Sequence, residues 1–470
     1  MFENLRNTLS EIRRPISVEK QQLLDDRWEQ LPESLKTDWQ VLGRHLVHCS
    51  YLLGPSYCSF GCSHCYLPAN ANRVPLPTLD EMKAQIDANR RLQGPDTGIQ
   101  ITGGDVVDAY WRAGRPEELV EIVRYACDAG LVPMLMTHGQ ILLDNPEYFE
   151  QLVSRGGLRK VAIHIDVTQA GRPGFRIRSV RRESDLHPLR ESFVDSILKV
   201  QRATGVQLSA ALTVTVTERN LEGVSEILEW LAGDLRHLEA FGMVSFQTEA
   251  DVGRTQMASA AVRPESVMAA IESTYDIEFG KRNIWVGDPD CSRFTTVLVR
   301  ASDVSAPAAF KVMNLIPDCP STRRFLKKTL DVFGGVGSSG ENRRRAAALR
   351  AGRLVRHPGW VLSAIAFGLR EITRGRAPFA FVLGYLTRSA RPLTIVMHNF
   401  MSTEMIQEGG ESVERRLDAC AFKGAVRSNG EWVSVPMCSM NALDRESLYE
   451  AKIRRSREPA EGPLVIAQPR

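Results

Sequence analysis

The sequence lacks a long uncharged apolar run. Its first 20 residues, MFENLRNTLSEIRRPISVEK, carry charges throughout and contain no apolar core of a secretory signal. The longest apolar candidate, residues 359–369, ends at Arg370, well short of the roughly 18 residues that a membrane-spanning segment needs. We therefore expect a cytoplasmic protein. In that compartment thiols stay reduced, so its nine cysteines are more readily interpreted as ligands, catalysts or core residues than as disulfides.

Acidic residues are scarce in one segment, from Arg323 to Arg391. It contains 15 Lys and Arg against three acids, a net charge of +12 in a chain whose total is +3. Two apolar stretches, 360–369 and 378–386, lie between its arginines. This combination predicts an anionic partner such as a lipid or another amphiphile, and a peripheral membrane contact; nucleic acid is the less favoured partner. The alternative is that these helices pack on the core and the arginines are solvated.

The length of 470 residues, with 43% hydrophobic and 24% charged residues, predicts more than one domain. Residues 1–44 are polar and helix-prone and are interpreted as an N-terminal extension. Strand and helix patterns alternate over the core, 45–280. We assign 281–470 to a C-terminal α+β domain that bears cysteines and contains the basic, apolar insertion 323–391.

The alternation in the core predicts βα units around a parallel sheet. Strand patterns fall at 45–51, 98–102, 132–137, 159–167, 206–217 and 240–248. Several of them have one apolar and one polar face, as in KVAIHIDV, where Val161 and Ile163 alternate with His164 and Asp166. Strands between two helix layers would be apolar on both faces, so the pattern favours an open (β/α)6 partial barrel with a wet interior over a doubly wound sheet.

Three cysteines follow the first strand within eight residues, in the stretch CSFGCSHC: Cys58, Cys62 and Cys65. They could bind zinc, with His64 or a distant residue as a fourth ligand, or three irons of a [4Fe–4S] cluster whose fourth iron stays open. A structural zinc site usually needs a second pair of ligands, which does not occur nearby. Loops after barrel strands also hold the chemistry of such folds, so the cluster is favoured.

CSFGCSHC in this position resembles the CxxxCxxC motif of the radical S-adenosylmethionine (radical SAM) enzymes, over about residues 45–260. The resemblance implies that the open iron chelates S-adenosylmethionine. An electron, delivered by an external low-potential donor, then cleaves the cofactor to methionine and a 5′-deoxyadenosyl radical that abstracts hydrogen from an unactivated carbon.

The stretch ITGGD after the second strand strengthens this resemblance. The family has a Gly-Gly-Glu-like motif there that holds the methionine amino group, which implies this role for Gly103, Gly104 and Asp105. Asp for Glu shortens the reach of the acid. His64 or Tyr66 replaces the aromatic residue that the family places near the adenine.

The inner face of the predicted barrel supplies further candidates. We assign Asp166 and Thr215 to ribose or methionine contacts, and His164, together with Asp166, to cofactor or substrate chemistry. The alternative is that each simply lines the barrel. Cys49 and Cys127 lie within strand and helix patterns and are interpreted as core thiols.

Four more cysteines lie in the C-terminal region: Cys291, Cys319, Cys420 and Cys438. Four thiolates could close an auxiliary [4Fe–4S] cluster or a zinc site, and the alternative is scattered core cysteines. Cys420 and Cys438 flank a hairpin-like pattern, KGAVRSNGEWVSV, and are the favoured pair.

The most economical hypothesis is a radical SAM enzyme with a substrate-defining C-terminal domain, for which a lipid or another amphiphile is one candidate substrate. A diffuse resemblance to the branch of tetraether lipid synthase and pterin-methylating enzymes agrees with it. Peptide modification and heterocycle methylation stay open within the enzyme class. Outside that class, the alternative is a zinc-bound nucleic-acid-binding protein that combines CSFGCSHC with the arginines of 343–356.

Overall fold

The computed structural model of the chain describes residues 18–44, 46–173, 180–255, 262–279, 284–300, 311–315, 320–333, 351–352, 354–373, 379–428 and 430–455. The strands in these ranges are β1 (Cys49–Leu53), β2 (Gly98–Thr102), β3 (Val132–Thr137), β4 (Lys160–His164), β5 (Ser209–Val216), β6 (Phe241–Thr248), β7 (Ile284–Trp285), β8 (Ser292–Arg300), β9 (Lys311–Asn314), β10 (Ala390–His398), β11 (Phe422–Ser428) and β12 (Glu431–Pro436).

Seventeen α-helices with defined bounds lie in the same ranges. They are α1 (Val18–Gln30), α2 (Leu79–Gln93), α3 (Val106–Arg112), α4 (Pro116–Asp128), α5 (Gln140–Asp144), α6 (Pro146–Ser154), α7 (His187–Thr204), α8 (Gly223–Gly233), α9 (Leu235–Ala240), α10 (Pro264–Tyr275), α11 (Pro320–Phe333), α12 (Pro358–Thr373), α13 (Phe379–Leu386), α14 (Thr403–Glu408), α15 (Glu411–Asp418), α16 (Met437–Ser439) and α17 (Arg445–Arg455). A π-helical turn, Met440–Asp444, joins the last two.

The strands form one open sheet with the order β12-β11-β1-β2-β3-β4-β5-β6-β10-β8-β7, and β9 pairs with β8. Each neighbouring pair from β1 to β6 is parallel. Helices connect these strands, so the predicted open (β/α)6 partial barrel is confirmed.

Strands from the C-terminal region extend this sheet at both edges. β11 pairs in parallel with β1, and β10 pairs in parallel with β6. β11 and β12 form the antiparallel hairpin that the sequence predicts. The C-terminal region is therefore hydrogen-bonded to the barrel sheet along both of its edges.

Alternating side chains explain which face of each strand meets the helices. Val161 and Ile163 on β4 are fully buried in the main core, whereas Lys160 and His164 are partly exposed. Helix starts follow the local sequence equally well. Thr78 and Glu81 form a reciprocal capping box at the start of α2, which satisfies backbone N–H groups that the helix leaves free.

The predicted strand boundaries are accurate for β2 and β3 and displaced for β1. The pattern at 45–51 predicts an earlier start, but β1 spans Cys49–Leu53. Leu46 instead bridges to Leu42 around the turn at Gly43, where φ is +77°. Leu52 and Leu53 continue the strand because they pair with Ile101 and Thr102 of β2.

The N-terminal helix packs against the C-terminal region. Arg27 of α1 is 3% exposed and donates hydrogen bonds to the carbonyl oxygens of Asp418 and Cys420, at 2.8 and 3.2 Å. Within the described part of the chain, no helix is both long and apolar enough to cross a membrane.

Candidate active site

The three-cysteine loop lies at the carboxyl ends of the barrel strands, directly after β1. Its backbone is fixed by other loops at the same end of the sheet. Backbone amides of Gly104 and Asp105, after β2, donate to the carbonyls of Pro55 and Tyr57 at 2.7 and 2.9 Å. The segment CSFGCSHC is therefore held from the neighbouring βα loop before any ligand binds.

Loops after β4 and β6 hold the same segment from the other side. Gly61 N–H donates to Ala170 O at 2.8 Å, and Arg254 N–H donates to Cys65 O at 2.9 Å. A Cβ at Gly253 would lie 2.2 Å from Tyr66 O, so this approach of the β6 loop requires glycine. Four strands therefore contribute to the position of one loop: β1, β2, β4 and β6.

Burial raises the pKa of two of these thiols, Cys58 and Cys62. It raises the pKa of Cys62 to about 11, and the neighbouring thiol of Cys65 adds to that rise. Burial also raises the pKa of Cys58, to which the carboxylate of Asp105 and the other two cysteines contribute. The mutual effects show that the three thiols share one environment. Since a thiolate is the metal-binding form, ligation would release their protons.

Backbone N–H groups point at two of the sulfur atoms. Phe60 N–H donates to Cys58 Sγ at 3.4 Å, and the backbone N–H of Ala170 bonds to Cys62. Such donors stabilise negative charge on sulfur and are one of the means by which proteins tune iron–sulfur clusters.

A single metal ion and a cluster require different arrangements. In the described ranges, no group of three or more His, Cys, Asp and Glu side chains is placed to hold one metal ion. Cysteine ligands of a [4Fe–4S] cluster are distributed over its iron atoms and need not converge on one point. The loop, its partly buried thiols and its sulfur-directed N–H groups fit such a cluster.

The glycines of ITGGD have a steric role that the structure makes explicit. A Cβ at Gly104 would lie 2.1 Å from Tyr57 O, and one at Gly103 would lie 2.5 Å from Pro55 O. Only glycine allows the turn after β2 to approach the cysteine loop this closely. The predicted contact of these residues with methionine stays a prediction.

Asp105 lies beneath the cysteine loop and is 3% exposed. Its carboxylate accepts hydrogen bonds from the backbone N–H of Asp108, at the start of α3, and from Thr137 Oγ1 and the N–H of His138. The carboxylate thus connects the loops after β2 and β3. Its predicted contact with the methionine amino group stays a prediction as well.

His64 and Tyr66 face different partners. His64 Nδ1 lies 2.7 Å from Glu249 Oε2, at the end of β6. The hydroxyl of Tyr66 donates to Gly103 O at 2.5 Å, and burial raises its pKa to about 12. Tyr66 therefore links the cysteine loop to ITGGD, while His64 keeps a third of its side chain exposed.

His164, Asp166 and Thr215 come together inside the barrel, as their strand faces predict. Asp166 accepts hydrogen bonds from the Thr215 N–H at 2.8 Å and from Thr168, and its Oδ2 lies 2.5 Å from His164 Nε2. Burial would raise the pKa of Asp166, but His164 and these hydrogen bonds outweigh it and lower the pKa to about 2. Asp166 is therefore an internal anchor, whereas 32% of the His164 side chain is exposed.

Sequence patterns missed Arg172, the last residue of the loop TQAGR (168–172) after β4. Its guanidinium is 5% exposed, lies 5.1 Å from the ring centre of Phe60, and donates to the carbonyls of His138 and His164. Phe60 in turn stacks on His138, with ring centres 3.8 Å apart. No local pattern predicts these contacts, because they join the loops after β1, β3 and β4.

A cleft of about 560 Å³ opens beside this assembly. The cleft is lined by residues of the cysteine loop, of α3 after ITGGD and of the later βα loops. Among them are Cys58, Arg112, His138, Gly171 and Arg254. The cleft gives a small molecule access to the face of the cysteine loop.

Comparison with known proteins gives one similar sequence. Over 174 residues the chain is 26% identical to the AdoMet-dependent heme synthase of Methanosarcina barkeri. This alignment covers 37% of this chain and 43% of the heme synthase. The chain is similar to a radical SAM enzyme. The resemblance predicted from CSFGCSHC is thereby confirmed as a similarity in sequence.

Other comparisons add less to the radical SAM similarity. No family model matches the chain. Among solved structures, anSMEcpe with bound AdoMet aligns at a TM-score of 0.34 and 11% identity, over 48% of this chain and 58% of that one. Its complex with AdoMet and a peptide, Cp18Cys, aligns at 0.33. The chain thus matches less than two thirds of the length of each of these proteins.

Outside the six-stranded barrel, three of the four C-terminal cysteines lie close enough to interact electrostatically. Cys291 precedes β8, Cys420 precedes β11, and Cys438 lies in α16. Burial raises the pKa of all three thiols, that of Cys438 to about 12. Cys420 raises the pKa of the other two further, and Cys438 adds to the rise at Cys291. Cys319 lies outside the described residues.

A buried arginine accompanies these three cysteines. Arg416 of α15 is 4% exposed, and its Nε donates to Cys291 Sγ at 3.2 Å. A cation beside buried thiols stabilises the thiolate form that binds metal. In contrast, Cys127 donates to Gly157 O at 3.6 Å within the helical layer, and Cys49 lies beside Gln100, where burial raises its pKa.

Proposed function

We propose that the chain is a radical SAM enzyme that cleaves S-adenosylmethionine reductively and abstracts hydrogen from an unactivated carbon. The observation that carries this proposal is the cysteine loop: three partly buried thiols in one segment that the βα loops after β2, β4 and β6 fix at the mouth of the barrel. A [4Fe–4S] cluster held by Cys58, Cys62 and Cys65 would supply the electron that breaks the cofactor's carbon–sulfur bond, and an external low-potential donor would replace it.

The residues of this chain hold and orient the reactants. ITGGD and the loops after β4 and β6 keep the cysteine loop in place before the cofactor binds, which lowers the cost of ordering it. Arg172 and Asp105 join the loops around it. His164 presents a partly exposed imidazole to the barrel interior, and Asp166, a positioning residue, fixes that ring through its Nε2. We assign His164 and Thr215 to the wall that faces cofactor or substrate.

The barrel interior supports an amphiphilic substrate. Inward positions of the strands are partly exposed although they lie in the middle of the molecule, as Met134, Met136, Met243 and Val396 show. Methionine and valine offer an adaptable apolar wall. Lys160 lies on the same face as His164, four residues earlier on β4, or roughly 13 Å at ~3.3 Å per residue. Burial lowers the pKa of Lys160, so an anionic group beside it would stabilise its charged form.

We further propose that Cys291, Cys420 and Cys438, with Cys319 as a candidate fourth ligand, bind an auxiliary [4Fe–4S] cluster. Their shared burial and the Arg416 contact support this. Arg27 supports it independently, because it fixes the backbone at Cys420 from α1.

Product analysis tests the central proposal. Anaerobic, iron-loaded protein should convert S-adenosylmethionine to 5′-deoxyadenosine and methionine when a strong reductant is added, slowly even without substrate. Cys58→Ala, Cys62→Ala and Cys65→Ala should each abolish the product, whereas Cys127→Ala, which removes a thiol of the helical layer, should leave it. Absence of 5′-deoxyadenosine from iron-loaded wild-type protein would contradict the proposal.

Iron content tests the auxiliary cluster separately. Protein with alanine at positions 58, 62 and 65 should keep close to half of the wild-type iron if a second cluster of equal size exists. Further alanines at 291, 420 and 438 should remove the rest. Iron at background in the first variant would make the C-terminal cysteines structural.

A further inference from the structure

The apolar side chains that are exposed on this protein are concentrated in one short part of the chain. Among the described residues, eleven large hydrophobic side chains are exposed, and six of them lie between positions 355 and 385: Val355, Leu362, Ile365, Leu369, Leu383 and Tyr385. Scattered exposed apolar residues need no explanation, but a concentration of them on two successive helices indicates a surface that another body covers.

Helix α12 is apolar on two opposite faces. Trp360 and Phe367 pack on α11, where Phe325 lies 4.4 Å from Phe367 between ring centres, and Lys328 donates to Gly359 O and Ser363 Oγ. The opposite face carries a stripe with helical spacing that is 55–70% exposed: Leu362, Ile365 and Leu369. Packing against α11 therefore accounts for one face of this helix and leaves the other uncovered.

Helix α13 repeats this arrangement on the barrel. Phe381 packs into a cluster with Leu298 of β8 and Ala390 of β10, whereas Leu383 and Tyr385 are 46% and 58% exposed. Tyr385 lines a groove of about 800 Å³ between α13, α7 and the amino ends of β5, β6 and β10. The carboxyl ends of these strands hold the candidate active site, so the groove lies at the opposite end of the barrel.

The groove is strongly basic. Four arginines line it, at positions 202, 236, 388 and 391, and Glu239 is the acid among the lining residues. Glu239 pairs with Arg391 at 2.7 Å, and Arg236 pairs with Asp195. Among the ion pairs of the described chain, none involves Arg202 or Arg388, which leaves two charges for an external anion.

The sequence around these helices contains almost no acidic residues, which suits contact with an anionic surface. From Asn342 to Thr403, Glu371 is the single acidic residue. Arg356 and Arg370 flank the exposed stripe of α12, and the groove arginines adjoin the exposed residues of α13. Apolar side chains beside arginines are the arrangement with which interfacial helices bind anionic lipids.

We propose that α12, α13 and the arginine groove dock the protein on an anionic phospholipid membrane. Leu362, Ile365, Leu369, Leu383 and Tyr385 would enter the interface, and Arg202 and Arg388 would bind lipid phosphates. The proposal does not depend on radical chemistry, since the arginine groove lies at the end of the barrel opposite the cysteine loop.

Flotation with vesicles tests the proposal. Wild-type protein should float with phosphatidylcholine vesicles that contain phosphatidylglycerol, should float much less with pure phosphatidylcholine, and should be released by high salt. Inorganic phosphate at equal ionic strength should release no more protein than sodium chloride, because the membrane rather than free phosphate is the ligand.

Two sets of variants separate the two parts of the surface. R202E/R388E should weaken binding to anionic vesicles by about tenfold or more, since it replaces two charges that attract anionic lipid by two that repel it. L362S/I365S/L369S should abolish flotation at moderate salt. R91E/R124E is the matched control: it makes the same change in net charge at two exposed arginines of α2 and α4 and should cost far less.

Three results would overturn the proposal. One is wild-type protein that ignores anionic vesicles at low salt; another is R202E/R388E that binds no worse than R91E/R124E. The third is a dimer in solution that L362S/I365S/L369S dissociates, with no vesicle binding by wild type, which would assign the surface to a second copy of the chain. Cleavage of S-adenosylmethionine without vesicles should be unchanged in all variants, so failure here is distinct from failure of the proposed reaction.

Discussion

Individual side chains at the mouth of the barrel contact several loops each. Arg172 is the clearest case, because its guanidinium reaches the backbone of the β3 and β4 ends and also packs on Phe60 of the cysteine loop. Burial lowers its pKa to about 10, although the carboxylates of Asp105 and Asp166 favour its charge. A buried cation with this many partners positions the loops around it.

We expect Arg172→Gln to destabilise the protein by about 3 kcal/mol, because it leaves backbone carbonyls without their charged donor. Arg172→Lys should recover little of this, since an ammonium cannot match the planar fork. Urea unfolding of metal-free protein measures both. Arg155→Gln, which removes an exposed pair with Glu117, is the control and should cost less than about 1 kcal/mol; an equal cost for both arginines would contradict this role.

Residues differ in how far the sequence predicts them. Cys58, Cys62 and Cys65 are recognisable because their spacing lies within eight residues, and the spacing carries the chemistry. His164, Asp166 and Thr215 follow from strand alternation, which places them on one face. Arg172 and Glu249 could not be predicted, because their partners come from loops distant in sequence, and nothing local distinguishes them from surface charges.

At the scale of elements, the contact between the ITGGD turn and the cysteine loop determines the site. Two backbones approach each other there at the distance of a hydrogen bond, and a Cβ on Gly104 would meet Tyr57 O and Ser56 O at 2.1 and 2.5 Å. Those oxygens belong to backbone that also carries Cys58, so they cannot move away without displacing a ligand.

We therefore predict that Gly104→Ala removes S-adenosylmethionine cleavage and lowers iron content, while the protein stays folded. Gly233→Ala is the matched control, because a Cβ at that position would meet no atom within 4 Å; it should leave activity and iron unchanged. The prediction is checked by measuring 5′-deoxyadenosine formation and iron content. A wild-type amount of 5′-deoxyadenosine from Gly104→Ala would show that the cysteine loop tolerates displacement.

The pairing of β10 with β8 contains a group that should respond to acid. Burial lowers the pKa of His398 from 6.5 to about 4, and its Nδ1 lies 2.9 Å from Ser292 Oγ. The unfolded chain takes up a proton near pH 6.5 and the folded chain does not. Neutral His398 therefore leaves the free energy of unfolding at its full value above pH 6.5. As the pH falls from 6.5 to about 4, protonation of the unfolded chain lowers this free energy by up to roughly 3 kcal/mol.

His398→Gln should flatten the fall in unfolding free energy between pH 6.5 and 4. Glutamine keeps an acceptor for Ser292 but takes up no proton. Urea unfolding at several pH values provides the measurement, with the exposed His357→Gln as control. An unchanged slope in His398→Gln would exclude this residue as a source of acid sensitivity.

At the scale of the whole molecule, distant parts of the chain close the structure around the barrel. The sequence predicts the barrel accurately because each βα unit is local, with its own strand alternation and helix caps. It does not predict that β10 and β11 extend the sheet at opposite edges, because those pairings join residues about 150 to 370 positions apart. Nor does it predict that α1 contacts the segment of Cys420.

The contact between α1 and the C-terminal region leads to a prediction for Arg27, whose hydrogen bonds fix the carbonyls of Asp418 and Cys420. In protein that has alanine at 58, 62 and 65, Arg27→Gln should lower the remaining iron, because the backbone at Cys420 loses its support. In wild-type protein the same change should leave 5′-deoxyadenosine formation largely intact. Arg91→Gln, on the exposed side of α2, is the control; equal iron in both variants would contradict the link.

Electron paramagnetic resonance tests the central claim most directly, namely that the cysteine loop holds a cluster with an iron open to S-adenosylmethionine. Protein with alanine at 291, 420 and 438 should contain one reducible cluster, and its signal should change when S-adenosylmethionine is added to the reduced sample. The account predicts this change and its loss on Cys62→Ala. A reduced cluster whose signal ignores S-adenosylmethionine, or a loop that binds zinc and gives no signal, would contradict it.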